Sequence, residues 1–363
     1  MAKRFIAVLW ILAGCQAGKP PVVRPYALAV EGNPKLFVYA SDFVSGGMHE
    51  ISLRSGEVTQ SFPSQAQALL RCNPYNQTVG ILNQLDGPYF TQVSPGEKRF
   101  TTQFALPARA RPQDVFFTAA DEAWFSFHGQ NALEKRRLTD GKILETVLEG
   151  GETLAEWSHF VFWDGLLWVV AQNLDDATAR PLGLGTLYPV EDAHRRRQTA
   201  LLTNPFAEPR VHLGKLYVGS SGALDLKRPV LDGLLYVLDP SGQDQFALSE
   251  RALGGDLLGF EITGPQRGFA IVQTPDTSIV RFEKDRVEPL LKGQGYQFSS
   301  MVWDEELRLL FVADRDRVRP GIRVLDTLGV ERKEAFIPLA NLPFSFALRD
   351  QFGRRCPALR NEI

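Results

Sequence analysis

Lys35-Leu36-Phe37-Val38-Tyr39-Ala40 is the first of a series of similar strand-length runs. Its counterparts are Glu122-Ala123-Trp124-Phe125-Ser126-Phe127, Gly165-Leu166-Leu167-Trp168-Val169-Val170, Gly214-Lys215-Leu216-Tyr217-Val218-Gly219 and Leu307-Arg308-Leu309-Leu310-Phe311-Val312. Weaker copies at residues 77–82 and 267–272 bring the number to seven. A short apolar run precedes each copy, as at 114–117, 159–162 and 300–303. A polar loop and a third run follow, closing on an acidic or glycine turn as in Leu235-Tyr236-Val237-Leu238-Asp239-Pro240-Ser241-Gly242. Gly, Pro, Asn and Asp punctuate the runs, and sustained helical periodicity is nearly absent, so the pattern is all-β.

The units begin near residues 25, 67, 112, 157, 209, 259 and 299. A period of about 40–50 residues fits one four-stranded blade of a β-propeller. Blades packed radially bury both faces of each sheet, which explains runs that are apolar throughout and do not alternate. The expected fold is an all-β, seven-bladed β-propeller of four-stranded blades. The units resemble those of the bacterial YncE-like and quinoprotein-like propellers, a resemblance that carries a fold and no activity. A two-domain β-sandwich with similar strand spacing is the competing architecture. A partial eighth unit, Pro343-Phe344-Ser345-Phe346-Ala347-Leu348, either closes the ring on the first blade or opens an incomplete eighth.

The amino terminus carries a second signal. Lys3 and Arg4 precede an unbroken apolar run at residues 5–12, too short to span a bilayer and suited to a signal peptide. Leu12-Ala13-Gly14-Cys15 follows and resembles the lipobox of bacterial lipoproteins, whose cysteine thiol takes a diacylglyceryl group; an ordinary secretory signal that contains a cysteine is the alternative. The resemblance implies a signal peptide at 1–14, a lipidated tether at 15–25 and a single propeller domain at 26–363. Gln16 stands where an aspartate would signal inner-membrane retention, so the implied location is the outer membrane, with the propeller facing the periplasm. The lipid is then the membrane attachment. A formal net charge of −2, made slightly more negative once Lys3 and Arg4 are removed, gives no basis for nucleic-acid binding. Of the three cysteines, Cys72 and Cys356 remain after lipidation of Cys15, and an oxidising periplasm permits a disulfide between them.

Compact catalytic motifs are missing: the chain has no Gly-x-Ser-x-Gly elbow, phosphate loop, EF-hand or His-Glu-x-x-His helix. His49, His128, His159, His194 and His212 fall in different repeats without ligand spacing and read as surface or strand-end residues. A polar residue recurs just after the second strand of each unit: Asp42, Asn83, Asn131, Asn173, Ser220 or Ser221, Asp276 and Asp314. These positions would ring one mouth of the central channel. There they either cap their own turns or supply oxygen ligands to Ca²⁺, as in propellers similar to the gluconolactonase family. The two longest insertions open on the same face. One carries Asp176 and Arg180 and the other Asp225 and Arg228, candidates for binding a protein or glycan partner. Two function classes follow: a non-enzymatic binding or scaffold module of the cell envelope, and a metal-dependent hydrolase or lactonase working at the channel mouth.

Overall fold

The structure is a computed structural model. It describes residues 28, 30, 32–65, 67–85, 87–108, 110–128, 132–148, 156–174, 181–191, 199–222, 230–239 and 246–348. Among the described residues twenty-eight strands form seven antiparallel four-stranded sheets. The first blade contains β1 (Lys35–Ser41), β2 (Gly46–Ser52) and β3 (Val58–Ser64). The second is β4 (Ala68–Cys72), β5 (Val79–Asn83), β6 (Tyr89–Ser94) and β7 (Arg99–Ala105); the third is β8 (Pro112–Phe117), β9 (Glu122–Phe127), β10 (Ala132–Arg137) and β11 (Ile143–Leu148). The fourth runs β12 (Trp157–Trp163), β13 (Leu166–Ala171), β14 (Leu184–Pro189) and β15 (Thr199–Thr203). The fifth has β16 (Ala207–His212), β17 (Lys215–Ser220), β18 (Leu234–Leu238) and β19 (Ala247–Ser249), followed by the one-turn helix α1 (Glu250–Leu253). The sixth holds β20 (Asp256–Gly264), β21 (Arg267–Thr274), β22 (Asp276–Glu283) and β23 (Arg286–Lys292). The seventh holds β24 (Phe298–Asp304), β25 (Leu309–Asp314), β26 (Gly321–Leu325) and β27 (Ile337–Pro338), and the chain ends its described part in β28 (Leu342–Ala347).

All seven repeated runs of the sequence are second strands of the consecutive units, and the seven-bladed β-propeller is the fold. Ring closure resolves the partial eighth unit. Strand β28 pairs antiparallel with β1, Val38 opposite Phe346 and Tyr39 opposite Ser345, and so supplies the first blade's innermost strand. The innermost strand of the first blade is therefore β28, from the end of the propeller, whereas the sequence pattern placed one ahead of β1. Leu28 and Val30 instead pack without strand structure against Leu36, Ile322 and Ile337, between the first and seventh blades. The inner strands touch their neighbours in sequence, β28 to β4, then β8, β12, β16, β20, β24 and back to β28.

Apolar residues cluster between adjacent blades. Phe90 of the second blade meets Phe125 of the third edge to face, with centroids 5.2 Å apart. Trp163 and Trp168 pack toward Leu216 and Val218 of the fifth blade, and Trp168 Nε1 donates to Trp163 O at 2.9 Å. Second strands are buried along their length, as in β5 and β25, whereas the fourth strands β7 and β23 face solvent over most of theirs. Tight turns join first to second strands: Asp164 and Gly165 both take positive φ, 50° and 73°, the geometry of a two-residue hairpin.

Candidate functional site

At one end of the channel the inner strands enclose a cavity of about 470 Å³. Its wall includes Leu69, Gln113, His159, Glu208, Phe260, Ser300 and Ser345, one residue from each of the seven inner strands. Loops after second strands bring Phe43, Gln84, His128, Gln172 and Arg315 to the rim, and connections between blades bring Gln67, Phe206 and Tyr296. Both kinds of connection thus open on a single face.

A chain of alternating charges crosses the channel beneath this mouth. Arg71, on β4, donates through Nε to Asp114 Oδ1 on β8 at 2.8 Å, and its Nη2 lies 3.1 Å from Glu208 Oε1 on β16. Arg210 places Nη1 2.7 Å from the same Glu208 oxygen and Nη2 2.9 Å from Glu261 Oε1 on β20. Asp114 Oδ2 also accepts from Phe160 N at 3.0 Å and stands 3.8 Å from His159 Nδ1. Glu208 and Arg210 line the cavity, while Arg71 sits two residues along β4 from Leu69, so the network forms a floor. Burial opposes charge at Asp114, Glu208, Arg71 and Arg210. The paired arginines outweigh it and hold Asp114 and Glu208 below the usual carboxylate range. Their carboxylates in turn raise Arg71 and Arg210 against the same burial.

The rim is aromatic on the side of the first and seventh blades. The Arg315 guanidinium carbon lies 4.4 Å from the Phe344 ring centroid, 5.2 Å from Tyr296 and 5.3 Å from Phe43. Phe43 meets Phe344 edge to face at 5.3 Å. Arg315 Nε is buried with no hydrogen-bond partner, and among the described residues no carboxylate forms an ion pair with this arginine. Burial pulls its pKa down and pushes that of Tyr296 up. Elsewhere on the rim His128 Nε2 lies 2.8 Å from Gln172 Oε1, and Nδ1 lies 3.2 Å from Glu156 Oε2.

The polar positions after the second strands act locally. Asp42 Oδ1 accepts from Val44 N at 2.8 Å and Ser45 N at 2.6 Å, and that turn holds Phe43 at a φ of 71° over the mouth. Asn83 Oδ1 accepts from Ser64 Oγ at 2.9 Å, Asn173 Nδ2 donates to Leu184 O at 2.6 Å, and Asp276 Oδ1 accepts from Gly295 N at 2.7 Å. Asp314 accepts from Arg323 Nε at 2.6 Å and Gln297 Nε2 at 2.8 Å. Ser220 Oγ bonds Thr203 O. None of these residues lines the cavity. Among the described residues no three His, Cys, Asp or Glu side chains converge as metal ligands would. Cys15, Asn131, Asp176, Arg180, Asp225, Arg228 and Cys356 lie outside the described residues.

The residues that do line the mouth are often immediate neighbours of the expected ones. Phe43 follows Asp42, Gln84 follows Asn83, Arg315 follows Asp314, and Gln172 precedes Asn173. The histidines divide as well: His128, a strand-end residue just past β9, and His159, within β12, both line the cavity. Arg71, Glu208 and Arg210 carry no motif, and only the inner-strand positions bring them together.

A closed ring of seven four-stranded sheets around a floored cup defines a seven-bladed β-propeller. No protein-family model matches the chain, and no curated protein matches it in sequence. Its fold is similar to that of apo AztD from Citrobacter koseri, at 14% identity and a TM-score of 0.51, over 86% of this chain and 97% of that one. It is also similar to the dihydro-heme d1 dehydrogenase NirN in complex with DHE, at 12% identity and a TM-score of 0.54, over 89% of this chain and 79% of that one. At such identities the likeness is one of fold.

Proposed function

We propose that this chain is a lipid-anchored protein of the cell envelope, attached to the outer membrane through Cys15, whose propeller binds its ligand at the floored mouth of the channel. The observation that carries the reading is the Arg71–Glu208 bridge beneath an open, aromatic-rimmed cup. It turns a channel into a concave site with convergent polar groups on a rigid scaffold. Asp114 and Glu208 are fixed as carboxylates and Arg71 and Arg210 as cations, so none of the four is poised to exchange a proton near neutral pH. These four groups therefore serve to hold and orient a ligand. Asp176, Arg180, Asp225 and Arg228 follow the second strands of the fourth and fifth blades in the sequence, and to them we assign contacts with a larger partner. Among the described residues no helix is long and apolar enough to cross a membrane, and the lipid on Cys15 supplies the attachment.

Native mass spectrometry of the mature protein, purified from the envelope and then exposed to a metabolite library, tests the binding reading. A small-molecule adduct should form on the wild type and be lost in Ser300→Trp, which fills the cup from β24. Equal adducts in both proteins, or none in either, would overturn it. For the anchor, Cys15→Ser should abolish partition of the mature-sized protein into detergent phase; unchanged partition refutes lipidation.

A further inference from the structure

Arg315 distinguishes one side of the cup. A guanidinium is planar, with its five N–H donors in the plane and its faces free to stack on rings. Here the guanidinium carbon lies over the Phe344 ring at 4.4 Å, with the Tyr296 and Phe43 rings close by, contacts that leave its donor edge without an anionic partner among the described residues. Nε, part of that edge, is buried without a hydrogen bond. A buried donor left unmet is costly unless an acceptor completes it, and an anion does so best beside a positive charge. The other arginine on the wall, Arg210, is already engaged by Glu208 and Glu261.

The surroundings limit the anion. Arg315 offers one positive charge and the other arginine on the wall is already paired, which suits a monoanion better than a dianion such as a phosphate monoester. A carboxylate matches the guanidinium fork with two parallel hydrogen bonds. Phe43 and Tyr296, 56% and 46% exposed, and Phe206 at 36% form an apolar rim over which a flat or aliphatic body can lie. The cavity of about 470 Å³ falls within the size of small-molecule sites.

We infer that the cup takes a small organic monocarboxylate, its carboxylate forked on Arg315 and its apolar body against Phe43, Tyr296 and Phe344. The inference rests on the binding reading above and names the ligand class for that same site.

Calorimetric titration of the mature protein with phenylacetate, indole-3-acetate and decanoate tests it, each acid compared with its neutral amide, and with inorganic phosphate as a separate arm. At least one acid should bind saturably, with its amide and the Arg315→Gln variant each weaker by about 10–100-fold, the worth of hydrogen bonds to a charged group. Arg315→Lys should recover part of the affinity, and circular dichroism should show both variants folded. Should an acid and its amide bind equally, or Arg315→Gln bind like the wild type, the carboxylate assignment fails while the cup remains a binding site. Tighter binding of phosphate than of any acid also overturns the assignment. Silence from all three acids overturns it too, and the adduct experiment with Ser300→Trp then reports separately on whether the cup binds anything.

Discussion

Arg71 Nη2 lies 3.1 Å from Glu208 Oε1, which joins β4 of the second blade to β16 of the fifth across the channel. With Asp114 bonded to Nε of the same guanidinium, three inner strands are coupled through one side chain. Replacing Asp114 by Ala leaves Arg71 buried beside half of its former partners. The expected loss is about 3–5 kcal/mol of unfolding free energy, as for other broken buried pairs, measurable by urea denaturation at pH 7. A loss below about 1 kcal/mol would show that the floor does not stabilise the ring.

The same network sets an acid dependence. Asp114 and Glu208 have folded pKa values below their unfolded ones, so their contribution is complete above pH ~4 and disappears as pH falls through the lowered folded values. Wild type should therefore lose stability on acidification below pH ~4 more steeply than Asp114→Asn, in thermal melts from pH 6 to pH 2. Parallel curves would refute the assignment.

Glu250 has the opposite sign. Buried at the start of α1, it accepts from Leu257 N at 2.6 Å and Gly233 N at 2.8 Å. Burial pushes its carboxyl up to about 7, with Asp256 and Asp232 adding to the rise against those two hydrogen bonds. A carboxyl whose pKa is raised on folding stabilises below its unfolded value of ~4.3, and that contribution is lost as pH climbs through about 7. The melting temperature of wild type minus that of Glu250→Gln should fall between pH 5 and pH 8; a difference independent of pH would count against the shift.

Closure of the ring depends on β28. Phe346, opposite Val38 of β1, is buried in the cluster between the seventh and first blades. Phe346→Ala should cost about 3–5 kcal/mol, whereas Phe346→Leu should cost under about 1.5 kcal/mol. Equal effects of the two substitutions in denaturant titrations would mean that packing at the closure is not what holds the ends together.

Cys72 ends β4 and is buried in the same cluster as Ala347 of β28. Cys356 follows Ala347 nine residues later in the sequence. We propose that the two form a disulfide that fastens the ring near its closure. In the chain-entropy model so long a loop contributes about 5 kcal/mol. Non-reducing peptide mapping of protein taken from the envelope should recover the cross-linked peptide, and Cys72→Ala should lower the melting temperature. Two free thiols in wild type would sink the proposal.

How much was legible in the sequence differs between scaffold and site, for a reason that particular residues make plain. The second strands announced themselves because a blade buried on both faces needs apolar residues at every position. Leu36 to Ala40 and Leu309 to Ala313 satisfy that need locally, and seven copies at a regular spacing imply a ring. Asp42 and Asp314 were legible as turn residues for an equally local cause, since each bonds backbone within a few positions. The cup was not legible, because no local rule relates its parts. Arg71, Asp114, Glu208 and Glu261 belong to four different blades, and Arg315 meets Phe43 and Phe344 only because the last strand returns to the first. Periodic burial by itself determined a seven-bladed propeller. Which charges would face one another across its axis, and which guanidinium would be left open at its mouth, was decided only when ring closure brought the inner strands within reach of each other.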